Sequence, residues 1–386
     1  MIGRRSIFAA ALALPVLVGL LAIRPQSRTG SSAGPRTDTL PSQLSDEAFW
    51  GLVTDFSEPN GYFRSDNFLS NEKAFQRILP TLTATAGSGG AYLGVGPEQN
   101  FTYLVALKPK LAFIVDIRRG NLHEHLLYKA FIEMSSDRAD FLSRLFARKR
   151  PEDLSAAAPI DTMMDAYRAV PADLNVFYEN FQAAADWLVK RHGFALSQED
   201  LEGIQYVYNA FYEGGPDLNY SFTNGGGFGG QFPTYAELMA ETDDRGEQRS
   251  YLATEAAFRA LAQMEKNNAI VPLVGNFAGP TALRSVGKYL KEHGATVTAF
   301  YTSNVEMYLF QQADDWQKFY ANVATLPVDT RSTFIRSVSN RGFQFRIANP
   351  VPGARSSTRL SSMADLVGAF ERGRIGGYSD VVTMSR

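Results

Sequence analysis

Short apolar runs alternate with stretches of helical periodicity along most of the chain. The clearest pattern starts with the run 91–95, which a glycine turn follows, and continues with helically spaced apolar residues over 99–108. A second uninterrupted apolar run, 111–115, is closed by Asp116 and is typical of a strand that is buried on both faces. Strand, glycine turn, helix and strand predict one βαβ unit with parallel strands and a right-handed crossover.

Further apolar runs extend this pattern towards the carboxyl end. Strands are predicted over 270–274 and 296–301 with a helix over 281–293 between them, and 343–347 and 379–384 are candidates for terminal strands. Strands that alternate with helices predict an α/β fold with a doubly wound, mostly parallel sheet of Rossmann type.

Helical patterns dominate the interval between these two groups of strands. A long helix is predicted over 121–148, and 151–265 is mainly helical in pattern, with strong periodicity at 176–189 and 251–264. We therefore expect a helical insertion in the sheet domain rather than a separate domain. The glycine-rich run 224–230 interrupts it and is expected to be either a lid over the crevice or an ordinary flexible loop.

The N-terminal part differs in character from the rest. Residues 1–23 carry Arg4 and Arg5 ahead of an uncharged, mostly apolar run, which indicates a secretory signal or an uncleaved membrane anchor. The arginine pair also resembles a loose twin-arginine export signal. Residues 24–43 are rich in Ser, Thr, Pro and Gly and are predicted to be a linker. We therefore expect the globular domain, 44–386, in the cell envelope, either exported or attached to the membrane by the N-terminal segment.

Composition excludes several kinds of chemistry. The 386 residues include no cysteine, which excludes disulfides, thiol nucleophiles and cysteine-ligated metal sites. The 38 Lys and Arg residues nearly balance the 40 Asp and Glu residues, so no nucleic-acid partner is expected. His123 and His125 are two positions apart and point in different directions on a helix, so we expect a polar helix face there and no metal site. Motifs of zinc peptidases, P-loop proteins and α/β-hydrolases are missing from the sequence.

Glycines and charged residues gather where the first two predicted strands end. Ligands of open parallel sheets bind at the carboxyl ends of the strands, and Gly94 and Gly96 leave room for a ligand close to the backbone. Asp116 follows Gly94 by about 20 positions, the spacing of an acid that binds ribose hydroxyls. Arg118 is expected either to contact a bound group, such as a 2′-phosphate, or to cap the next helix at the surface. The sequence therefore predicts a crevice for a small molecule of nucleotide type.

Three further segments are candidates for this crevice. Asn276 follows one later strand, and Ser303, Asn304 and Glu306 follow the next, so amide, hydroxyl and carboxylate groups are expected at the same edge. In the segment 61–72, aromatic residues alternate with polar ones. We expect this segment either to lie over a site or to be a solvated connection between helices.

The stretch 94–130 resembles a family of uncharacterised bacterial proteins with a methyltransferase-like Rossmann fold. The similarity extends from 61–72 through 301–309, which covers most of the globular part. In class I S-adenosylmethionine (SAM) methyltransferases, the first strand carries D/E-x-G-x-G-x-G and the second strand ends in an acid. The resemblance therefore implies the fold, with SAM as the candidate cofactor.

The motif of this family can be matched to the sequence residue by residue. Gly94 and Gly96 stand at the first two glycines and Asp116 at the ribose-binding acid, whereas Tyr92 replaces the first acid and Glu98 the third glycine. The resemblance thus implies cofactor contacts for the positions of Gly94, Gly96, Glu98 and Asp116. Tyr92 cannot supply the carboxylate that usually helps to hold the cofactor's amino-acid end.

The resemblance also bears on the methyl acceptor. Many members that methylate amines or bases have D/N-P-P-Y/F after the fourth strand, and taking 270–274 as that strand gives the sequence NFAGP over 276–280. Only the asparagine and a displaced aromatic residue are retained there.

Three functions therefore stay open. The first is SAM-dependent methyl transfer, the second is a non-catalytic binding or interaction protein of the cell envelope that has lost the cofactor, and the third is a nicotinamide-dependent oxidoreductase. In each of them the expected ligand is a small molecule, without metal, and the only expected membrane contact is the N-terminal segment.

Overall fold

The computed structural model describes residues 38–220, 232–340 and 353–386. Four predictions fall outside these residues: the signal or anchor over 1–23, the linker residues 24–37, the glycine-rich run 224–230 and the terminal strand 343–347. Within the described part of the chain, no helix combines the length and the apolar character that crossing a membrane requires.

A single sheet runs through the described residues. Its strands are β1 (Ala91–Gly94), β2 (Leu111–Asp116), β3 (Ile270–Val274), β4 (Val297–Ser303), β5 (Thr333–Ser339) and β6 (Ser356–Ser362). Their order in space is β3-β2-β1-β4-β5-β6. β1 to β5 are parallel, and β6 is antiparallel to β5. The protein is therefore an α/β protein with a mostly parallel sheet, as predicted.

Helices make up much of the rest of the described chain. They are α1 (Asp46–Phe56), α2 (Leu79–Thr85), α3 (Gln99–Leu107), α4 (Arg119–Met134), α5 (Arg138–Leu145), α6 (Ile160–Arg168), α7 (Leu174–Asp186), α8 (Gln198–Gly214), α9 (Tyr235–Ala240), α10 (Glu255–Lys266), α11 (Ala282–Glu292), α12 (Val305–Leu309), α13 (Asp315–Val323), α14 (Met363–Glu371) and α15 (Tyr378–Thr383). Short 3₁₀ turns lie at Phe75–Ile78 and Gly215–Asp217, and a π turn lies at Trp187–Arg191.

The βαβ unit is present as the sequence predicted. Every residue of β1, β2 and β3 is buried, which explains why these strands appear as uninterrupted apolar runs. α3 is capped by Lys108, which has a left-handed backbone (φ 51°), donates its N–H to the carbonyl of Leu104 and directly precedes Pro109. The connection from β1 to β2 is therefore short, with a glycine turn before α3 and a capped helix end after it.

The helical region between β2 and β3 departs from the prediction at one point. The single helix expected over 121–148 is wrong, because the chain leaves helical geometry at Ser135 and starts again as α5. Asp137 begins α5 with a side-chain oxygen that accepts the N–H of Asp140 at 2.8 Å. The remaining helices of the interval follow the predicted pattern, and α8 packs along α4.

The secondary structure near the carboxyl end differs from the prediction in two ways. The strand expected over 379–384 is wrong, because residues 379–383 belong to α15, at whose start Asp380 accepts the N–H of Gly376 at 2.8 Å. β5 and β6 were not predicted. β6 has the sequence SSTRLSS and is only partly buried at most positions, so it offers no apolar run.

The first described residues pack on the domain although the sequence assigned them to a linker. Thr39 donates its N–H to the carbonyl of His293 at 2.9 Å, and Leu40 and Leu44 are buried. Asp38 forms an ion pair with Lys110 at 2.5 Å. Residues 38–44 are therefore packed on the globular domain.

β3 lies at one edge of the sheet. Its last residue, Val274, accepts the N–H of Glu58 at 2.7 Å and donates its own N–H to Ser57 Oγ at 3.0 Å. The run 270–274 is thus the third strand along the chain and pairs with β2 alone, so its assignment as the fourth strand is wrong. Pro272, which lacks an N–H, is the sequence signal of an edge position.

Candidate functional site

A cavity of about 350 Å³ opens at the carboxyl ends of β1 to β4. Each strand contributes the residues that follow it: Gly96 and Pro97 after β1, Asp116 and Ile117 at β2, Asn276 and Phe277 after β3, and Ser303 and Asn304 at β4. Its volume lies in the range of roughly 300–1,000 Å³ that is usual for small-molecule sites.

Most of the predicted site residues line this cavity. They are Gly96, Asp116, Arg118, Asn276, Ser303 and Asn304. Gly94, Glu98 and Glu306 do not line it, because each of them is engaged in contacts elsewhere in the protein.

Asn100 holds the turn that follows β1. Its Nδ2 donates to the carbonyls of Val95 at 2.9 Å, Gly96 at 3.2 Å and Pro97 at 2.8 Å. Its Oδ1 accepts the hydroxyl of Tyr92 at 2.9 Å. One fully buried side chain therefore fixes the loop that forms the edge of the cavity.

The two glycines of this turn serve different purposes. A Cβ on Gly94 would lie 1.9 Å from Asn100 Oδ1 and 2.8 Å from Tyr92 Cε1, so the glycine makes room for Asn100 and not for a ligand. Gly96 has a φ of 74°, and the space beside its Cα is free of described atoms within 4 Å. The carbonyl of Gly96 is also 2.9 Å from His125 Nε2. Burial lowers the pKa of His125 to about 4, so the neutral ring donates this hydrogen bond.

Glu98 faces the protein interior. It is fully buried and lies 3.4 Å from the N–H of Ser70, a residue of the segment 61–72. Burial raises the pKa of Glu98 to about 8. The predicted cofactor contact of Glu98 is therefore corrected, because its carboxyl group is engaged beneath that segment.

Asp116 and Arg118 form a polar pair in the cavity wall. Asp116 Oδ1 accepts the N–H of Arg118 at 2.9 Å and lies 3.3 Å from its Nε. Arg118 Nη1 donates to the carbonyl of Asp66, whereas Nη2 has no hydrogen-bond partner within the described residues. Arg118 is only 8% exposed and makes no side-chain cap, so it is not a surface cap of α4. The half-buried neighbour Arg119 pairs with Asp200 at 2.6 Å instead.

The segment 61–72 covers one side of the cavity, in line with one of its two predicted roles. Gly61 donates its N–H to the carbonyl of Ile117 at 2.8 Å, and a Cβ at this glycine would lie 2.4 Å from Ile117 Cγ1. Tyr62 stands 85% exposed at the mouth of the cavity. Phe63 packs edge-on against Tyr308 with ring centroids 5.4 Å apart.

Glu72 is a lining residue that sequence reasoning missed. Its Oε1 accepts the hydroxyl of Tyr301 at 2.9 Å and that of Ser303, and its Oε2 accepts Gln99 Nε2 at 3.1 Å. Glu72 is 2% exposed, and burial raises its pKa. The density of polar residues in the segment 61–72 was the available signal, but nothing in the sequence singled out this carboxylate.

Glu306 belongs to a separate buried ion pair. Its Oε2 lies 2.7 Å from Arg336 Nε of β5, and its Oε1 accepts the hydroxyl of Tyr320 at 2.6 Å. Both charged side chains are almost fully buried. The prediction that Glu306 lines the pocket is corrected, because the arginine buried in β5 needs this carboxylate as its counter-ion.

Asn276 lines the cavity next to a helix start that is already capped. Its N–H donates to Glu58 Oε2 at 3.0 Å. Glu58 Oε1 accepts the N–H groups of Thr281 at 2.8 Å and of Ala282 at 3.0 Å. The carboxylate of Glu58 therefore occupies the N-terminus of α11, which leaves no anion site there.

The neighbouring residues 123–125 lie in α4, and the polar face that the sequence predicted there is buried. His123 Nε2 lies 2.8 Å from Asp200 Oδ1, and both carboxylate oxygens of Glu124 lack a hydrogen-bond partner within the described residues. The part of the chain that the structure describes contains no group of three or more side chains suited to hold a metal ion.

Comparison with known proteins assigns the chain to a family. No curated protein matches it. Residues 67–365, which include all of the sheet and most of the cavity, match the family described as a domain of unknown function, DUF7790. The match covers well over half of the sequence, and the protein is therefore a member of the DUF7790 family.

Proposed function

We propose that the cavity binds S-adenosylmethionine and that the protein is a Rossmann-type methyltransferase. The observation that carries this proposal is Asp116, an acid at the end of β2 that faces a cavity at the carboxyl ends of the parallel strands. Doubly wound dinucleotide-binding sheets have the strand order 3-2-1-4-5-6 and bind ligands where that order reverses. The order of this sheet is the same, with the last strand antiparallel, and the cavity spans the reversal between β1 and β4.

The residues present fit a nucleoside. Asp116 commits Oδ1 to Arg118, while its Oδ2 has no hydrogen bond within the described residues and is available to ribose hydroxyls. The left-handed backbone of Gly96 leaves open space beside the turn after β1. Arg118 Nη2 lacks a partner although the side chain is buried, which is expected of a group that a ligand completes.

The roles of the chain's own residues follow from these positions. Asp116 would hold the ribose, while Ile117 and Phe277 would exclude water from the base. The bound cofactor supplies the methyl group. Because β4 is the fourth strand along the chain, the acceptor side lies at Ser303 and Asn304 rather than at Asn276. Alignment of nucleophile and methyl group suffices for transfer, so no general base is required.

A second candidate is a non-catalytic envelope protein that kept the fold without the cofactor. Two observations favour it. Tyr92 stands where the motif has an acid, and the apolar run behind Arg4 and Arg5 points to the cell envelope, whereas SAM is a cytoplasmic metabolite. This candidate predicts that nucleosides do not bind.

Calorimetric titration of the purified full chain with SAM and with its product S-adenosylhomocysteine separates the two candidates. We expect micromolar binding of both. The matched variant Asp116→Asn keeps the shape and the acceptor for Arg118 but removes the charge, and should weaken binding by about 1–3 kcal/mol without unfolding the domain. Absence of heat at millimolar ligand would reject the methyltransferase proposal and leave the envelope protein.

A further inference from the structure

Glu72 is a buried carboxylate that faces a cavity without a cation beside it. Its hydrogen-bond partners within the described residues are uncharged side chains, namely Tyr301, Ser303, Gln99 and Ser337. Taking a carboxylate out of water is costly unless hydrogen bonds and an opposite charge compensate it. The hydrogen bonds are in place and the opposite charge is not.

The other acids of the cavity wall already have cations. Asp116 lies 3.3 Å from Arg118 Nε, and Asp315 lies 3.4 Å from Lys318 Nζ at the rim. Arg118 is the single cationic side chain among the described lining residues, and it is directed to Asp116 and to the carbonyl of Asp66. Because no cation among the described lining residues faces Glu72, burial raises its pKa, and a cationic ligand would supply the charge that keeps the carboxylate ionised.

The surroundings of Glu72 also orient it. The hydroxyls of Tyr301 and Ser303 donate to Oε1, and Gln99 donates to Oε2, which fixes the plane of the carboxylate. Glu72 also lines the cavity, so a ligand group bound there can reach its carboxylate. An ammonium group, which carries both donors and charge, suits a carboxylate in this position.

The position of Glu72 bears on the acid that the β1 motif lacks. Glu72 accepts a hydrogen bond from Gln99, and Tyr92 donates one to the next residue, Asn100, so adjacent residues at the start of α3 hold the two side chains. Tyr92 itself is committed to Asn100 and cannot take a ligand cation. A carboxylate from the covering segment thus stands close to the place where the motif has its acid.

We propose that Glu72 binds the ammonium group of the ligand, which for SAM is the α-ammonium of its amino-acid end, and so replaces the acid missing at position 92. This inference rests on the proposed function, since SAM is the ligand named. It makes the segment 61–72 part of the binding site and not only its cover.

Two probes that differ at the amino-acid end test the proposal in the full-length protein. S-adenosylhomocysteine carries the ammonium group, whereas 5′-methylthioadenosine has the same nucleoside without it. Glu72→Gln should weaken S-adenosylhomocysteine binding by about 10- to 100-fold and change 5′-methylthioadenosine binding less than about threefold. Glu98→Gln is the matched control, because it removes a buried carboxyl group near Glu72 that does not line the cavity. It should leave both affinities within about threefold.

Each other outcome has a defined meaning. Equal weakening of both probes by Glu72→Gln, or unchanged binding of both, would overturn the ammonium contact while the methyltransferase proposal stands. A similar selective loss in Glu98→Gln would overturn it as well, since a general effect of buried charge would then explain the result. If neither probe binds the unmodified protein, the proposed function fails and this inference fails with it.

Discussion

Replacing Gly94 by alanine tests whether the first glycine of the turn serves the fold or a ligand. The added Cβ would lie 1.9 Å from Asn100 Oδ1, far inside an ordinary contact, so Asn100 must move. Overpacking of this kind costs about 1–3 kcal/mol. Each buried hydrogen bond that Asn100 then loses to the loop costs about 1 kcal/mol more. We therefore expect Gly94→Ala to lower the free energy of unfolding by about 2–5 kcal/mol.

The assay is equilibrium unfolding of the full chain in guanidinium chloride, with Gly96→Ala as the control. Gly96 has open space beside it but a φ of 74°, so alanine there should cost only about 1–2 kcal/mol through backbone strain. Asn100→Ala removes the obstructing atom. In that background Gly94→Ala should cost at least about 1 kcal/mol less than in the original protein, which a double-mutant cycle measures.

Two results would refute this reasoning. Additive effects of Gly94→Ala and Asn100→Ala would show that the glycine does not act through Asn100. If Gly94→Ala is fully stable but binds S-adenosylhomocysteine more weakly, Gly94 serves ligand binding, as the sequence predicted.

Two further predictions concern the buried carboxyl groups. The pKa of Glu98 is raised to about 8, so between about pH 5 and 8 the native state keeps a proton that the unfolded chain has released. The free energy of unfolding therefore falls as the pH rises through this range, by up to about 1.4 kcal/mol per pH unit. In Glu98→Gln the melting temperature should fall less steeply over that pH range. An unchanged dependence of melting temperature on pH would contradict the raised pKa of Glu98. Glu306→Gln leaves Arg336 buried without its carboxylate and should cost about 3–5 kcal/mol in denaturant unfolding. Its affinity for S-adenosylhomocysteine should stay within about twofold, and loss of affinity at unchanged stability would place Glu306 in the pocket after all.

The centre of the sheet is predictable from the sequence because its strands are buried on both faces. The runs 91–95 and 111–115 have no polar position to interrupt them, and the glycine turn and Asp116 mark their ends. β6 escaped prediction since an edge strand with partly exposed residues carries no such run. Residues 379–384 are too few for periodicity to separate a short helix from a strand.

The site is predictable where it depends on strand ends and unpredictable where it depends on packing between distant segments. Asp116, Ser303 and Asn304 follow strands that the pattern shows, and the general rule for parallel sheets brings them together. Glu72 reaches the same cavity only because the segment before β1 folds across it. The orientation of the Glu306 side chain depends on Arg336, which lies in β5, a strand without an uninterrupted apolar run in the sequence.

The edge at β3 has a consequence for how this protein can associate. A strand from another molecule adds to a sheet through free N–H and C=O groups along an edge. Val274 faces outward with both groups already bonded to Ser57 and Glu58, and Pro272, two residues earlier on the same side, has no N–H to offer. A peptide or a second copy of the chain therefore finds no free N–H group at Pro272 or Val274, and at the opposite edge Leu360 of β6 has both backbone groups bonded to Arg386.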